Sequence, residues 1–216
     1  MKNKDTLNLD GPWALGEEVF EVVIDELKEK EVKRFVEFGS GSSSVRLSQA
    51  FENADIYSVE HDEEYAGKTR ELKENYLATD NLKIIHAPLQ WQKLDGRLYK
   101  SYSKVELPDD LDAVLIDGPP YWTRRGREFC MYQVYDKVRK GGKFFLDDAS
   151  RLDEMKIVKN WLSLYPNSFE CKRYKTKKGL LVLTKKEHVR RKSMSTTSLI
   201  DNWSTNLRHL VSNLIK

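Results

Sequence analysis

The chain is read as a doubly wound α/β domain: a mostly parallel, seven-stranded sheet between two helical layers, with an antiparallel C-terminal hairpin. Three observations predict this. Short apolar runs alternate with longer runs of helical periodicity. An acid and two close glycines, Glu37-Phe38-Gly39-Ser40-Gly41, sit where the first apolar run gives way to a helix start. Near the end, two β-rich runs over 168–176 and 179–185 are separated only by Lys177-Lys178, a gap that suits a hairpin.

Each element has its own signal. Val19, Phe20, Val23, Ile24 and Leu27 recur at helical spacing, so an amphipathic helix over 17–30 precedes the first strand and lies against the sheet. In the turn after Phe38, Gly39 and Gly41 allow a sharp bend and bring bare backbone N–H groups close to a ligand. Glu37, at the strand end, can accept from a ligand ammonium or hydroxyl. Ser42-Ser43-Ser44 offers an N-cap to a helix bearing Val45, Leu47, Ala50 and Phe51. A second strand, 56–59, ends in Glu60-His61-Asp62, about 20 residues downstream, where a ribose-binding acid belongs. Glu60 is the ribose-diol candidate.

A charged helix over 63–76 leads to a third strand, Leu82 to His86, and 111–117 reads as a buried fourth. Residues 90–110 form an insertion carrying Trp91, Tyr99 and Tyr102, long enough to act as a substrate lid. A helix around 129–138 follows, and Gly141-Gly142 introduces a fifth strand over 143–146.

Composition narrows the class. A chain of 216 residues fits one domain. Its net charge of +3 is too mild to argue for nucleic acid. The polar start has no apolar core of a signal peptide, and no apolar run is long enough to span a membrane, so a cytoplasmic protein is expected. Cys130 and Cys171 have no metal-ligand or disulfide pattern and are expected as buried free thiols. The expected division is a domain over 1–185 and a basic linker with an amphipathic helix over 186–216, where Leu199, Trp203, Leu207, Leu210 and Leu214 share a face. That tail suits an anionic membrane surface or a partner, and equally its own domain or a homodimer.

Over roughly residues 15–185, these motifs resemble the class I S-adenosylmethionine-dependent methyltransferases, whose first loop is acid-x-Gly-x-Gly and whose second strand ends in an acid. Dinucleotide dehydrogenases need a third glycine where this chain has Ser44, and a carboxylate at Glu37 would repel a pyrophosphate. The resemblance implies S-adenosyl-L-methionine as cofactor, held by Glu37, Gly39, Gly41, Ser43, Glu60, His61 and Asp117, with Ala87 and Pro88 flanking the adenine. It also implies that Asp117, after the fourth strand, faces the transferred methyl group as base, ammonium acceptor or metal ligand.

The fifth strand closes in Asp147-Asp148-Ala149-Ser150-Arg151. Asp117, Asp147 and Asp148 could together hold a hard cation such as Mg2+. This is similar to the catechol-type and caffeoyl-type O-methyltransferases, although Asp148 stands where those carry Asn. An N-cap by Asp148 or Ser150 is the alternative. Pro119-Pro120-Tyr121 is similar to the signature of amino-group methylating enzymes, but Gly118 replaces the required Asn or Asp and argues against a nitrogen target. A closer likeness is to the glucuronoxylan-type O-methyltransferases, carried by Asp117-Gly118-Pro119, Gly126-Arg127 and Asp148-Ala149-Ser150-Arg151.

The expected function is therefore O-methylation of a sugar, glycan or related polar hydroxyl, with Asp117 and Asp148 catalytic. Tyr121, Trp122, Arg125 and Arg127 would bind the acceptor, through aromatic faces and guanidinium forks, unless these charges simply face solvent. The alternatives are a metal-dependent enzyme acting on a catechol-like small molecule and a non-catalytic scaffold working through the basic tail.

Overall fold

The computed structural model describes residues 14–77 and 80–194. In chain order the elements are α1 (Glu17–Leu27), β1 (Arg34–Phe38), α2 (Ser42–Ala50), β2 (Asp55–Glu60), α3 (Glu63–Tyr76), β3 (Leu82–His86), β4 (Leu89–Leu94), β5 (Arg97–Tyr102), β6 (Leu111–Ile116), α4 (Gly126–Val134), β7 (Val138–Leu146), α5 (Leu152–Leu164), β8 (Phe169–Tyr174) and β9 (Leu180–Lys185). The main sheet runs β3-β2-β1-β6-β7-β9-β8. Its first five strands are parallel, and β9 pairs antiparallel with both β7 and β8. The strand order reverses between β1 and β6, so a crevice for ligands opens at the carboxyl ends of these two strands.

Side chains alternate across the sheet, and the two apolar sets meet different helices. Val36, Phe38, Val114, Ile116, Phe144 and Leu146 join Met131, Ile157 and Trp161 of α4 and α5. Phe35, Ala113, Leu115 and Phe145 join Phe20 and Val23 of α1 and Val45 and Leu47 of α2. Each such fully buried side chain stabilises the fold by roughly 1.5–3 kcal/mol. The same alternation sends Glu37, two residues from Phe35, toward α2.

Four expectations change. The insertion is not a lid loop: residues 89–102 form a β4-β5 hairpin around Asp95-Gly96, both with positive φ (47° and 80°), the conformation that favours Asp-Gly in a two-residue turn. Tyr99 and Tyr102 are buried while Trp91 is exposed. The fifth sheet strand begins at Val138 rather than at 143, because Gly141 (φ 79°) and Gly142 accommodate an irregularity in the β6-β7 register. Helix α4 starts at Gly126, earlier than expected, where an added Cβ would lie 2.4 Å from Lys100 O and from Thr123 Oγ1. Cys130 is buried but Cys171 is exposed.

The described part of the expected linker, 186–194, packs back on the domain. The Lys186 N–H donates to Ser168 O at 2.8 Å, that of Lys192 donates to Leu164 O at 2.9 Å, and Arg191 pairs with Asp95 at 2.5 Å. The expected amphipathic helix lies outside the described residues. Among the described residues, no helix is long and apolar enough to cross a membrane.

Candidate active site

The glycine loop ties the tips of β1, β2 and β6 together. Gly39 has φ 111°, which disfavours any side chain, and a Cβ there would approach Gly118 N to 3.4 Å. Glu37 is 1% exposed, its carboxyl bonded to the first turn of α2. It accepts from Ser43 Oγ at 2.6 Å, from Ser44 Oγ, and more weakly from Ser58 Oγ at 3.4 Å. Burial pushes its pKa up to about 7, against the lowering effect of these hydroxyls. Glu37 and Ser43 therefore brace the loop from beneath. Ser44, in the position of a dinucleotide fold's third glycine, links the same acid to Ser58 at 2.9 Å and accepts from Gly41 N at 3.2 Å.

Glu60, the ribose-diol candidate, closes β2 beside the glycine turn. Its Oε2 accepts from Ser40 N at 2.9 Å, and its Oε1 accepts from His61 N at 2.7 Å and Asp62 N at 3.0 Å, with His61 Nδ1 also 2.7 Å away. Burial alone would raise its pKa, but the His61 ring and the Asp62 and Ser40 N–H groups outweigh it and hold the carboxylate ionised. Ala87 is buried, its N–H donating to Glu60 O at 2.6 Å, and Pro88 is exposed beside it. Beneath these tips lies Tyr102, delivered by β5. Its ring sits 5.5 Å from Phe38 and 6.2 Å from His61, and a Cβ added to Gly118 would fall 1.9 Å from its hydroxyl. Sequence reasoning missed this role, although the Asp95-Gly96 hairpin signal would have brought Tyr102 back toward the sheet.

On the methyl side, ligand atoms of Asp117, Asp147 and Asp148 lie within 4.8 Å of one another. The Asp117 side chain is 22% exposed, whereas Asp147 and Asp148 are buried. Burial, with the neighbouring acids, raises the pKa of Asp117 and pushes that of Asp147 up to about 7. Arg127 enters this cluster from the first turn of α4. Its Nη2 is 3.4 Å from Asp117 Oδ1, and its Nη1 is 3.1 Å from both Asp148 Oδ2 and Asp147 O. Burial works against its charge, but Asp117, Asp148 and Glu154 keep it ionised.

Several sequence expectations shift here. Asp148, expected to be catalytic, is held by Arg127, by Arg151 at 2.6 Å and by Lys178 at 3.6 Å. Arg127, expected at the acceptor, is buried against these acids. Arg125 is also buried, its Nε donating to Glu128 Oε2 at 2.6 Å, and presents no fork to a substrate. Tyr121 and Trp122 are exposed on the loop after β6. Arg127 thus spans Asp117 and Asp148, two of the three acids whose ligand atoms lie close enough to share a cation.

No protein-family profile matches the chain, and no curated protein matches it in sequence. Solved structures do match. An S-adenosylhomocysteine-bound methyltransferase from Podospora anserina, PaMTH1, aligns with TM-score 0.63 and 14% identity over 81% of each chain. The Streptomyces achromogenes O-methyltransferase TomG, in complex with S-adenosylmethionine, gives TM-score 0.61 and 11% identity over 81% of this chain and 82% of its own. A precorrin-6y C5,15-methyltransferase from Geobacter metallireducens gives TM-score 0.57 and 19% identity over 87% and 98%. The fold is thus the class I, Rossmann-like fold of S-adenosylmethionine-dependent methyltransferases.

Proposed function

We propose that this chain is an S-adenosylmethionine-dependent methyltransferase acting on a hydroxyl of a sugar, glycan or related polar acceptor. The observation that carries the reading is the alignment of three strand tips: the Gly39-Gly41 turn after β1, Glu60 after β2, and Asp117 after β6. The bare turn, open at Gly41 where a Cβ would meet nothing within 4 Å, would let the nucleoside approach the Glu60 carboxylate, and Ala87 and Pro88 would border its base. When bound, the cofactor supplies an electrophilic methyl group on a sulfonium centre.

Asp117, the partly open carboxylate of its cluster, takes the hydroxyl proton as the acceptor oxygen attacks in line. One C–O bond forms, one C–S bond breaks, and the proton remains on Asp117 until solvent removes it. Burial, with the nearby Asp148 charge, raises the basicity of Asp117 against the lowering effect of Arg127 and of a hydrogen bond to Asp147. The exposed Tyr121 and Trp122 rings offer flat apolar faces for the C–H side of a sugar ring.

The test is incubation of purified protein with radiolabelled S-adenosylmethionine and cell fractions, followed by identification of the labelled species. A labelled methyl ether on a sugar or glycan supports the reading. Labelled RNA or protein overturns the acceptor assignment, and no transfer to any fraction overturns the activity.

A further inference from the structure

We propose that the Arg127 guanidinium is the resident cation of the three-carboxylate cluster, standing between Asp117 and Asp148 where a divalent ion would bind, so that the chemistry proposed above runs without metal. Metal-free chemistry rests on that functional reading. The placement of Arg127 rests on geometry alone.

Arg127 is not a surface arm swung over the acids. Its side chain is 5% exposed, and two main-chain carbonyls fix its plane: Pro119 O accepts from Nε at 3.3 Å, and Asp147 O accepts from Nη1 at 3.1 Å. Those carbonyls belong to the loops after β6 and β7, so one guanidinium locks both loops together. The remaining edges meet Asp117 at 3.4 Å, Asp148 at 3.1 Å and Glu154 at 4.0 Å. A rigid fork with several donors suits this task in a way that a lysine ammonium would not.

An ion has little room to compete. A magnesium-sized cation needs a near-octahedral oxygen shell at about 2.0–2.1 Å. On Asp148 it would face Arg127 and Arg151 at one carboxylate oxygen and Lys178 at the other. On Asp117 it would meet Arg127 again. Yet the acids themselves are suited to a cation: Asp147 Oδ1 and Asp148 Oδ1 are buried and have no hydrogen-bond partner among the described residues. Taking away the Arg127 charge would free Asp117 and the unpartnered Asp147 Oδ1, while Arg151 and Lys178 still flank Asp148. Arg127, the one cation that spans Asp117 and Asp148, is what closes the Asp117-Asp147 side to metal, not an absence of ligands.

The experiment is a titration of the full chain with Mn2+, followed by electron paramagnetic resonance of the free ion, for wild type and Arg127→Met. It needs no knowledge of the acceptor and reads no activity, so it stands or falls separately from the proposed function. The expected result is no saturable site in the wild type up to millimolar ion, and in Arg127→Met a single site at least about tenfold tighter that Asp147→Asn removes. A saturable site in the wild type that Asp147→Asn abolishes would overturn the proposal, as would a folded Arg127→Met protein that binds no Mn2+. Should Arg127→Met not fold, the wild-type titration decides alone: no saturable binding supports the assignment and a site lost in Asp147→Asn overturns it.

Discussion

Replacing Glu37 with glutamine is expected to change how stability depends on pH, with a sign fixed by the burial of this acid. Its pKa is raised from 4.5 to about 7 in the folded chain. The folded state therefore holds a proton that the unfolded state has released between these values, and stability from this group is full below pH 4.5 and is lost as pH rises through 7. Each tenfold gain in proton affinity on folding is worth about 1.4 kcal/mol. Between pH 5 and pH 8, about 2.5 kcal/mol of wild-type stability should disappear through Glu37. Glutamine keeps the shape and carries no charge, so it removes this loss. Urea unfolding of both proteins across that range gives the difference directly; because the Asp117 charge helps raise Glu37, the difference reads Glu37 together with its coupling to Asp117. The variant should gain on the wild type as pH rises. A constant difference, or a gain toward low pH, would show that the Glu37 carboxyl is ionised in the native state and would refute the reasoning.

Three further outcomes follow from the same geometry. Glu128 is fully buried and receives Arg125 at 2.6 Å, Tyr132 Oη at 2.6 Å and Asn160 at 3.0 Å, with Arg97 at 3.7 Å; Glu128→Gln should cost about 3–5 kcal/mol in denaturant unfolding by leaving two buried guanidinium groups underpaired. Gly118→Ala places a methyl group 1.9 Å from the Tyr102 hydroxyl and 3.2 Å from Phe38 O, so it should destabilise by about 1–3 kcal/mol, and Tyr102→Phe in the same chain should recover part of that loss. The turnover rate at saturating cofactor should rise with pH through about 7, because the Asp117-Asp147 pair must be free to take a proton. Asp117→Asn should lower that rate by about a hundredfold or more; a pH profile falling through that range, or full turnover in Asp117→Asn, would exclude the pair as base.

The sheet was legible because its signals are local. Two-residue alternation and helical periodicity are each contained within one segment, so six of the strand positions and α1 to α3 could be read without knowing what they touch. The glycine turn and Glu60 were legible for the same reason: φ requirements and spacing along the chain place them. Glu37 shows a readable fact that was not used. Its parity with Phe35, rather than with Val36 and Phe38, already turned it toward α2. Arg125 and Arg127 show a limit of a different kind. A run of basic residues before a helix is compatible with solvent, substrate or core, and only the pairings Arg125-Glu128 and Arg127-Asp148 separate these cases. The second pairing joins residues on different elements, across the β6-β7 edge of the crevice, and no one-dimensional pattern encodes it. Tyr102 lies between these extremes, since the Asp95-Gly96 turn that delivers it was present in the sequence as a hairpin signal.

The central claim is that the tips of β1, β2 and β6 together hold a sulfonium nucleoside. Isothermal titration calorimetry of the purified full chain with S-adenosylmethionine and with S-adenosylhomocysteine tests it most directly, with Gly39→Val as the control, because φ 111° and the 3.4 Å approach to Gly118 leave no place for a branched side chain. One saturable site for both compounds is expected in the wild type and none in Gly39→Val. No heat of binding for either compound in correctly folded wild-type protein, or undiminished binding in Gly39→Val, would contradict it.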